Sequence, residues 1–284
     1  MALKRVYIEI INRCNLQCSF CPPSGRPART MTADEFEQLA IALSGVTKYI
    51  YLHVKGEPLA HPQLQEILAI AHRQGLFVNL TTNGVLLPKQ AELLLQSDAM
   101  RQTNLSVHGY TPQTHGELAQ WMSALCDYAK KAAAKGRYTV FRFWTLPESR
   151  QPEGDDARAI HILEQEFPEA GSIAQQATGR AMTLAKGIFA SFDEQFDWPH
   201  MDGPELGSEG ICYGGRTMIG ILADGTVVPC CLDSEGACSL GNAFTQPLSE
   251  ILASPRYTAL AKGFTNRHVV EPLCKRCGYR LKFN

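Results

Sequence analysis

Three cysteines, Cys14, Cys18 and Cys21, fall within eight residues of the stretch INRCNLQCSFCPP, spaced C-x3-C-x2-C. Thiolates are soft ligands that select zinc, copper(I) or iron–sulfur clusters. Structural zinc closes a tetrahedron with four ligands, and no fourth Cys or His lies near Cys21, the next histidine being His53. Three thiolates on a cubane cluster leave one iron for a ligand other than protein. A second group runs from Cys212 through Cys230, Cys231 and Cys238 to the C-x2-C pair Cys274 and Cys277. A hairpin signal, ADGT between MIGIL and TVVP, brings Cys212 and Cys230 together. The final pair supplies two more thiolates, which makes four and satisfies either a fully ligated cluster or a zinc ribbon. Cys231 alternates to the opposite face of its strand from Cys230 and reads as packing, whereas Cys238, in a loop, is the substitute should one ligand be misassigned. Cys126 is a lone cysteine beside a helical apolar stripe, a small buried hydrophobe.

The elements that must position these groups alternate along the chain. RVYIEII (5 to 11) reads as a strand that feeds directly into the three-cysteine loop. MTADEFEQLAIAL opens with a capping box, Thr32 with Glu35, and places Phe36, Leu39, Ala40 and Leu43 at helical spacing. YIYLHV, FVNLTT, TNLSVH and YTVFRFW are further strands, separated by helices beginning near Pro62, after Pro88 and over about 113 to 135. Such βα repeats require parallel strands with right-handed crossovers, hence an open sheet or a full or partial barrel. Ligands then gather at the strand C-terminal ends. A helix is expected near 155 to 166, a strand at GIFASF, then a Pro/Gly-bearing linker that sets a boundary between domains 1–205 and 206–284; a further helix starts at Pro247.

The C-x3-C-x2-C spacing, with the aromatic Phe20 just before the third cysteine and a strand just before the loop, resembles the signature of the radical S-adenosylmethionine (SAM) superfamily. The resemblance implies an α/β fold: a partial (β/α)6 TIM-like barrel. By it Cys14, Cys18 and Cys21 ligate a [4Fe-4S] cluster whose fourth iron is chelated by SAM, and Phe20 lies against the adenine. Gly56 and Glu57 resemble the family's Gly-Gly-Glu along the methionine amino group, with Lys55 replacing the first glycine. Thr82 and Asn83 in TTNG, Ser106 in SVHG, and Arg142, a charge amid the apolar FRFW, end successive strands and are further SAM contacts on this reading. Each also has a structural alternative: a turn for Gly56, backbone bonding for Thr82 and Asn83, and a structural acid as partner for Arg142.

The order Cys212, Gly225, Cys230, Cys274, Cys277 looks like the SPASM/twitch extension of that superfamily, a small cysteine-rich domain of β-hairpin plus helix. Because the chain stops seven residues past Cys277, the shorter twitch form with one auxiliary [4Fe-4S] cluster is expected. The activity so implied is reductive cleavage of SAM to a 5′-deoxyadenosyl radical, which abstracts hydrogen from a peptide or small-metabolite substrate. With four thiolates filling the auxiliary cluster, a net oxidation or cross-link is expected, and the electron donor is of the flavodoxin or ferredoxin kind. Tyr110, His108 and Glu57 are unranked candidates for the mouth of the fold.

Two rival classes stay open: a non-catalytic zinc-stabilised barrel protein, and an enzyme that modifies nucleic acid. A formal charge of -1, with 19% charged residues, gives no basic face and disfavours nucleic acid as substrate. The opening MALKR runs straight into the first strand without a signal-peptide pattern, and no apolar run approaches membrane-spanning length, so a cytoplasmic protein without a membrane partner is expected. In a reducing compartment ten cysteines argue for metal over disulfides.

Overall fold

Capping, periodicity and glycine stops set most of the helices and strands of the computed structural model, which describes residues 3–147, 149, 151–176 and 180–283. In chain order they are β1 (Arg5–Ile8), α1 (Ala33–Leu43), β2 (Tyr49–Leu52), α2 (Leu64–Arg73), β3 (Phe77–Thr82), α3 (Leu87–Gln96), β4 (Met100–Ser106), α4 (Pro112–His115), α5 (Leu118–Ala134), β5 (Tyr138–Leu146), α6 (Gly154–Glu166) and α7 (Ile173–Gln176). There follow β6 (Ala181–Ala185), β7 (Ile188–Glu194), β8 (Met218–Ile221), β9 (Thr226–Val228), β10 (Gly241–Asn242), α8 (Leu248–Ala253), α9 (Pro255–Thr265) and α10 (Pro272–Lys275). The class is α/β with parallel strand pairing, and with β7 counted six strands follow the βα order.

The backbone divides into two compact units, residues 1–78 with 196–284, and residues 79–195. In the first, β1 pairs parallel with both β2 and β8, and β9 turns back antiparallel on β8 in the expected hairpin. The strand following the expected linker is thus hydrogen-bonded to the first strand of the chain. The core of this unit takes Val6 and Ile8 from β1, Ile50 and Leu52 from β2, Phe36, Leu39 and Leu43 from α1, and Ile67 and Leu68 from α2. Each such side chain contributes roughly 1.5–3 kcal/mol by leaving water. α1 begins at the capping box read from the sequence: Thr32 Oγ1 accepts from Glu35 N, and the Glu35 carboxylate accepts from Thr32 N.

In the second unit β4 and β5 pair parallel, as do β5 and β7, and β6 adds an antiparallel edge to β7. β6 has no counterpart in the sequence reading, because AMTLA carries neither clean alternation nor a turn signal before it. The helix expected over 113 to 135 is two: Gly116, at φ 75°, ends α4, and α5 restarts at Leu118. The helix expected from Pro247 is likewise two, because Ser254 takes an extended backbone and its side chain caps α9 by accepting from Tyr257 N. Cys126 is fully buried in α5, and burial pushes its thiol up to about 12, as befits a small hydrophobe. Among the described residues no helix is long and apolar enough to cross a membrane.

Candidate metal centres and cofactor-binding residues

The three-cysteine loop leaves the C-terminal end of β1 and returns at the bridge between Ile11 and Thr30. Asn12 closes its neck, donating from Nδ2 to Pro27 O (2.8 Å) and accepting from Arg29 N (2.7 Å). Below the neck, Glu9 is fully buried, and Arg26 Nη2 donates to both of its oxygens at 2.7 Å. The same carboxylate accepts from Lys55 N (3.2 Å) and Ala223 N (3.1 Å), so one side chain ties together the strand end, the loop after β2 and the β8–β9 turn. Burial pushes the Glu9 carboxyl above its ordinary range, and Arg26 pulls in the opposite direction. Within the loop Cys14 is exposed and Cys18, Phe20 and Cys21 are half-buried, with Cys21 N donating to Cys18 O. Burial, followed by the neighbouring Cys14 and Cys21, raises the Cys18 thiol to about 11.

The segment after β2 packs on this loop through its backbone. Gly56 has φ 77°, and a Cβ there would lie 2.1 Å from Ile11 O, so only glycine fits. Glu57 N donates to Arg13 O (2.9 Å), while its buried side chain accepts from Leu59 N (3.0 Å) and caps the short turn Pro58–Ala60. Lys55, read from the sequence only as a missing glycine, brings its ammonium to the loop. Its Nζ donates to Pro22 O at 2.6 Å and to Cys21 Sγ at 3.4 Å, and lies 4.1 Å from the centre of the Trp198 ring.

The remaining expected SAM contacts belong to the other unit. Thr82 is buried and its Oγ1 accepts from Gly84 N, and Asn83 Oδ1 accepts from Val85 N, both at 3.0 Å. These bonds shape the turn after β3, the structural alternative raised for both residues. Ser106 and Arg142 are brought side by side as register partners of β4 and β5. The Arg142 guanidinium lies 4.3 Å from the centre of the Trp144 ring. Parallel to Trp144 lies the His108 imidazole, whose Nδ1 is 3.0 Å from Arg142 O. Burial lowers the His108 pKa to about 4, so the ring is neutral near pH 7. Tyr110 contacts His115 and Trp121 and donates its hydroxyl to Gly116 O (2.7 Å).

In the C-terminal group all four expected ligands are half-buried. A Cβ on Gly214 would lie 3.7 Å from Cys212 Sγ and 3.5 Å from Cys230 Cβ, which places that glycine between the two cysteines. Gly214 N donates to Cys212 Sγ at 3.4 Å. Burial is the main cause that raises the Cys212, Cys230 and Cys277 thiols, and neighbouring thiols add to it for Cys212 and Cys230. Cys274 is raised first by a hydrogen bond with Cys238, then by burial. Cys238 is thus a buried fifth thiol of the group, and it adds to the lowering of the Glu271 carboxyl. Cys231 packs against Tyr7, Val54, Leu222 and Val228, the packing role expected, although β9 ends at Val228 before either Cys230 or Cys231. Arg280, within the short basic tail, is 1% exposed and donates to four backbone carbonyls, those of Cys274, Leu206, Gly207 and Glu209. Its role was illegible because its acceptors are carbonyls, which no sequence pattern marks.

Among the described residues, no three His, Cys, Asp or Glu side chains converge closely enough to hold a single metal ion. The donor chemistry nonetheless suits iron–sulfur clusters: three thiols at a strand end with an N–H aimed at one sulfur, and four half-buried thiols with a backbone N–H donor at Cys212.

Known proteins agree with this reading of the architecture. The family model described as the radical SAM superfamily matches residues 8–152, and one described as an iron–sulfur cluster-binding domain (SPASM) matches residues 212–278. The chain belongs to the radical SAM superfamily. That membership brings a [4Fe-4S] cluster and SAM as cofactors, and the second domain brings auxiliary iron–sulfur. A GTP 3',8-cyclase of Aquifex aeolicus (strain VF5) is 36% identical over 126 residues, 41% of this chain and 38% of that protein. An AdoMet-dependent heme synthase of Methanosarcina barkeri (strain Fusaro / DSM 804) is 32% identical over 110 residues, 38% of this chain and 32% of that protein. The matched stretches span well under half the length of these curated relatives. Among solved structures, BtrN in complex with AdoMet and 2-DOIA superposes with a TM-score of 0.62 at 18% identity, covering 98% of this chain and 94% of that one. Streptococcus suis SuiB bound to precursor peptide SuiA gives 0.61 at 14% identity, covering 97% and 71%. These likenesses show the fold.

Proposed function

We propose that Cys14, Cys18 and Cys21 hold the SAM-binding [4Fe-4S] cluster, that Cys212, Cys230, Cys274 and Cys277 hold one auxiliary [4Fe-4S] cluster, and that the enzyme abstracts hydrogen from a peptide or small metabolite. The observation that carries this is the three-thiol loop at the end of β1, with Gly56 packed so closely on its backbone that no side chain fits. When bound, the first cluster supplies the electron that cleaves SAM to methionine and a 5′-deoxyadenosyl radical. Phe20, Gly56, Glu57, Thr82, Asn83, Ser106 and Arg142 are the residues that would bind and orient SAM. Four protein thiolates on the auxiliary cluster suit passing an electron as substrate is oxidised, so the net reaction is an oxidation or cross-link. The domains that divide this work are 1–205 and 206–284, the electron donor is a flavodoxin or ferredoxin, and the setting is cytoplasmic. The named relatives and neighbours act on or bind a nucleotide, a peptide and the small ligand 2-DOIA, which leaves the substrate class as broad as stated. Anaerobic reconstitution with iron and sulfide tests it. Two clusters per chain are expected, with 5′-deoxyadenosine released under reduction and stimulated by the true substrate; zinc alone, or no SAM cleavage, overturns the reading.

A further inference from the structure

Lys55 is a buried cation, 7% exposed, with a specific address. Its ammonium donates to Pro22 O at 2.6 Å and to Cys21 Sγ at 3.4 Å, and is roofed by the Trp198 ring at 4.1 Å. Its backbone is fixed from below, since Lys55 N donates to the buried Glu9 carboxylate, and from the next residue, where Gly56 is pressed against Ile11 O. Among the described residues no carboxylate comes within 4 Å of Nζ, so its charge is not cancelled by an acid at close range. The Glu9 carboxylate, which accepts from the Lys55 backbone, has both oxygens engaged by Arg26 and two backbone amides.

We propose that Lys55 is a positioning residue that sets the reduction potential of the N-terminal cluster through its charged hydrogen bond to Cys21 Sγ. The inference rests on the reading that Cys21 is a cluster ligand. Cluster potentials follow net charge, hydrogen bonds to sulfur and solvent exposure, and Lys55 bears on all three. Reduction adds one negative charge to the cluster, and a fixed cation at a ligand sulfur favours the more negative state. Partial burial makes that preference larger than in water, because less solvent screens it. Trp198 strengthens the arrangement by excluding water from one side of the ammonium while its ring face attracts the cation. The lysine thereby raises the potential and eases delivery of the electron to a loop whose first cysteine is open to solvent. At a position where the resembled motif has glycine, this chain carries a tuning charge.

The test is redox titration of the reconstituted full-length protein, following the paramagnetic signal that SAM perturbs, which belongs to the cluster with the exchangeable ligand. Lys55→Met is expected to shift that midpoint to more negative potential, by about 59 mV for each tenfold loss of preference for the reduced form. The auxiliary signal should hold its wild-type midpoint, and Lys55→Arg should stay near wild type at both. A Lys55→Met protein with an unchanged SAM-sensitive midpoint overturns the proposal, as does an equal shift of both clusters. Should Lys55→Met fail to hold the cluster, Lys55→Gln, which keeps an N–H donor without the charge, is read in its place, and a wild-type midpoint there overturns the proposal. If the wild-type protein itself shows no SAM-sensitive signal, the ligand reading falls and takes this inference with it, an outcome seen before any Lys55 variant is made.

Discussion

The two cysteine groups of the first unit are built in opposite ways. The N-terminal three sit on a loop with no regular structure of its own, Cys14 exposed, its shape held at the neck by Asn12 and from beneath by the Glu9–Arg26 pair. Of the C-terminal four, Cys212 and Cys230 lie on either side of the β8–β9 hairpin, Cys274 is in α10 and Cys277 just past it, with a buried arginine bonded to the backbone on both sides of the group. The difference matches the two duties proposed above. A cluster that exchanges a small-molecule ligand needs an approach from solvent, whereas one ligated wholly by protein can be part of the core. The loop is nevertheless not independent: Arg29 Nε donates to Ala223 O and Gly25 N to Glu235, so the three-cysteine loop is moored to the turn and loop flanking Cys230.

The contrast breaks most visibly at the ligands themselves. Cys18→Ala is expected to reduce 5′-deoxyadenosine formation to background while costing under about 1 kcal/mol of folding stability, because the loop buries little. Cys230→Ala is expected to cost about 3 kcal/mol, since metal binding there is coupled to a packed hairpin. Paired activity assays and anaerobic urea unfolding decide this, and equal stability losses would erase the distinction drawn above. At least as large for stability is Arg26→Met, which leaves the Glu9 carboxylate buried without its cation. A cost of about 3–5 kcal/mol is expected, together with loss of cluster at the N-terminal loop, measured by iron content and unfolding. Arg280→Met probes the opposite side: four carbonyls lose a charged donor, for about 3 kcal/mol, with the auxiliary cluster lost and the SAM-sensitive signal kept.

Much of this architecture is written locally, and the parts that are not share a physical cause. The Thr32/Glu35 capping box, the ADGT hairpin and the strand before the Cys14 loop are short-range signals, and the structure has each, with β1 closing at Ile8, three residues short of the expected end. Two expected helices came apart because local breakers, Gly116 and the Ser254–Pro255 step, outweighed a continuous apolar stripe. Edge strand β6 carries no local signature, since its pairing depends on β7. Glu9, Lys55 and Arg280 were illegible as positioning residues for a stronger reason: their partners lie from 17 to 214 residues away for Glu9, 33 and 34 for Lys55, and up to 74 for Arg280. Charged residues in apolar strands and tails signal that a partner exists; only the fold names it. Thr82 and Asn83 show the converse, polar residues at a strand end whose side chains bond the adjoining turn.

The smallest effect sharpens the comparison through pH. Glu271 in the C-terminal region is held below the usual carboxylate range by its hydrogen bonds from Arg256 (2.8 and 2.7 Å), whereas burial pushes Glu9 under the N-terminal loop above it. The two carboxylates therefore act on stability with opposite signs. With its folded pKa depressed, Glu271 stabilises the protein at neutral pH, and that contribution is lost as pH falls from the unfolded value near 4.5 through the folded one. Glu9, with its folded pKa raised, adds relative stability on acidification, and loses it as pH rises from 4.5 through its folded value. Glu271→Gln should cost about 1 kcal/mol at pH 7, discounted because the Arg256 side chain is 48% exposed. The cost should vanish once the pH is well below 4, so the two unfolding-midpoint curves converge on acidification. Divergence instead, with the variant losing ground as acid is added, would mean that the pair is not what sets the Glu271 charge, and the electrostatic half of the contrast between the two regions would fail.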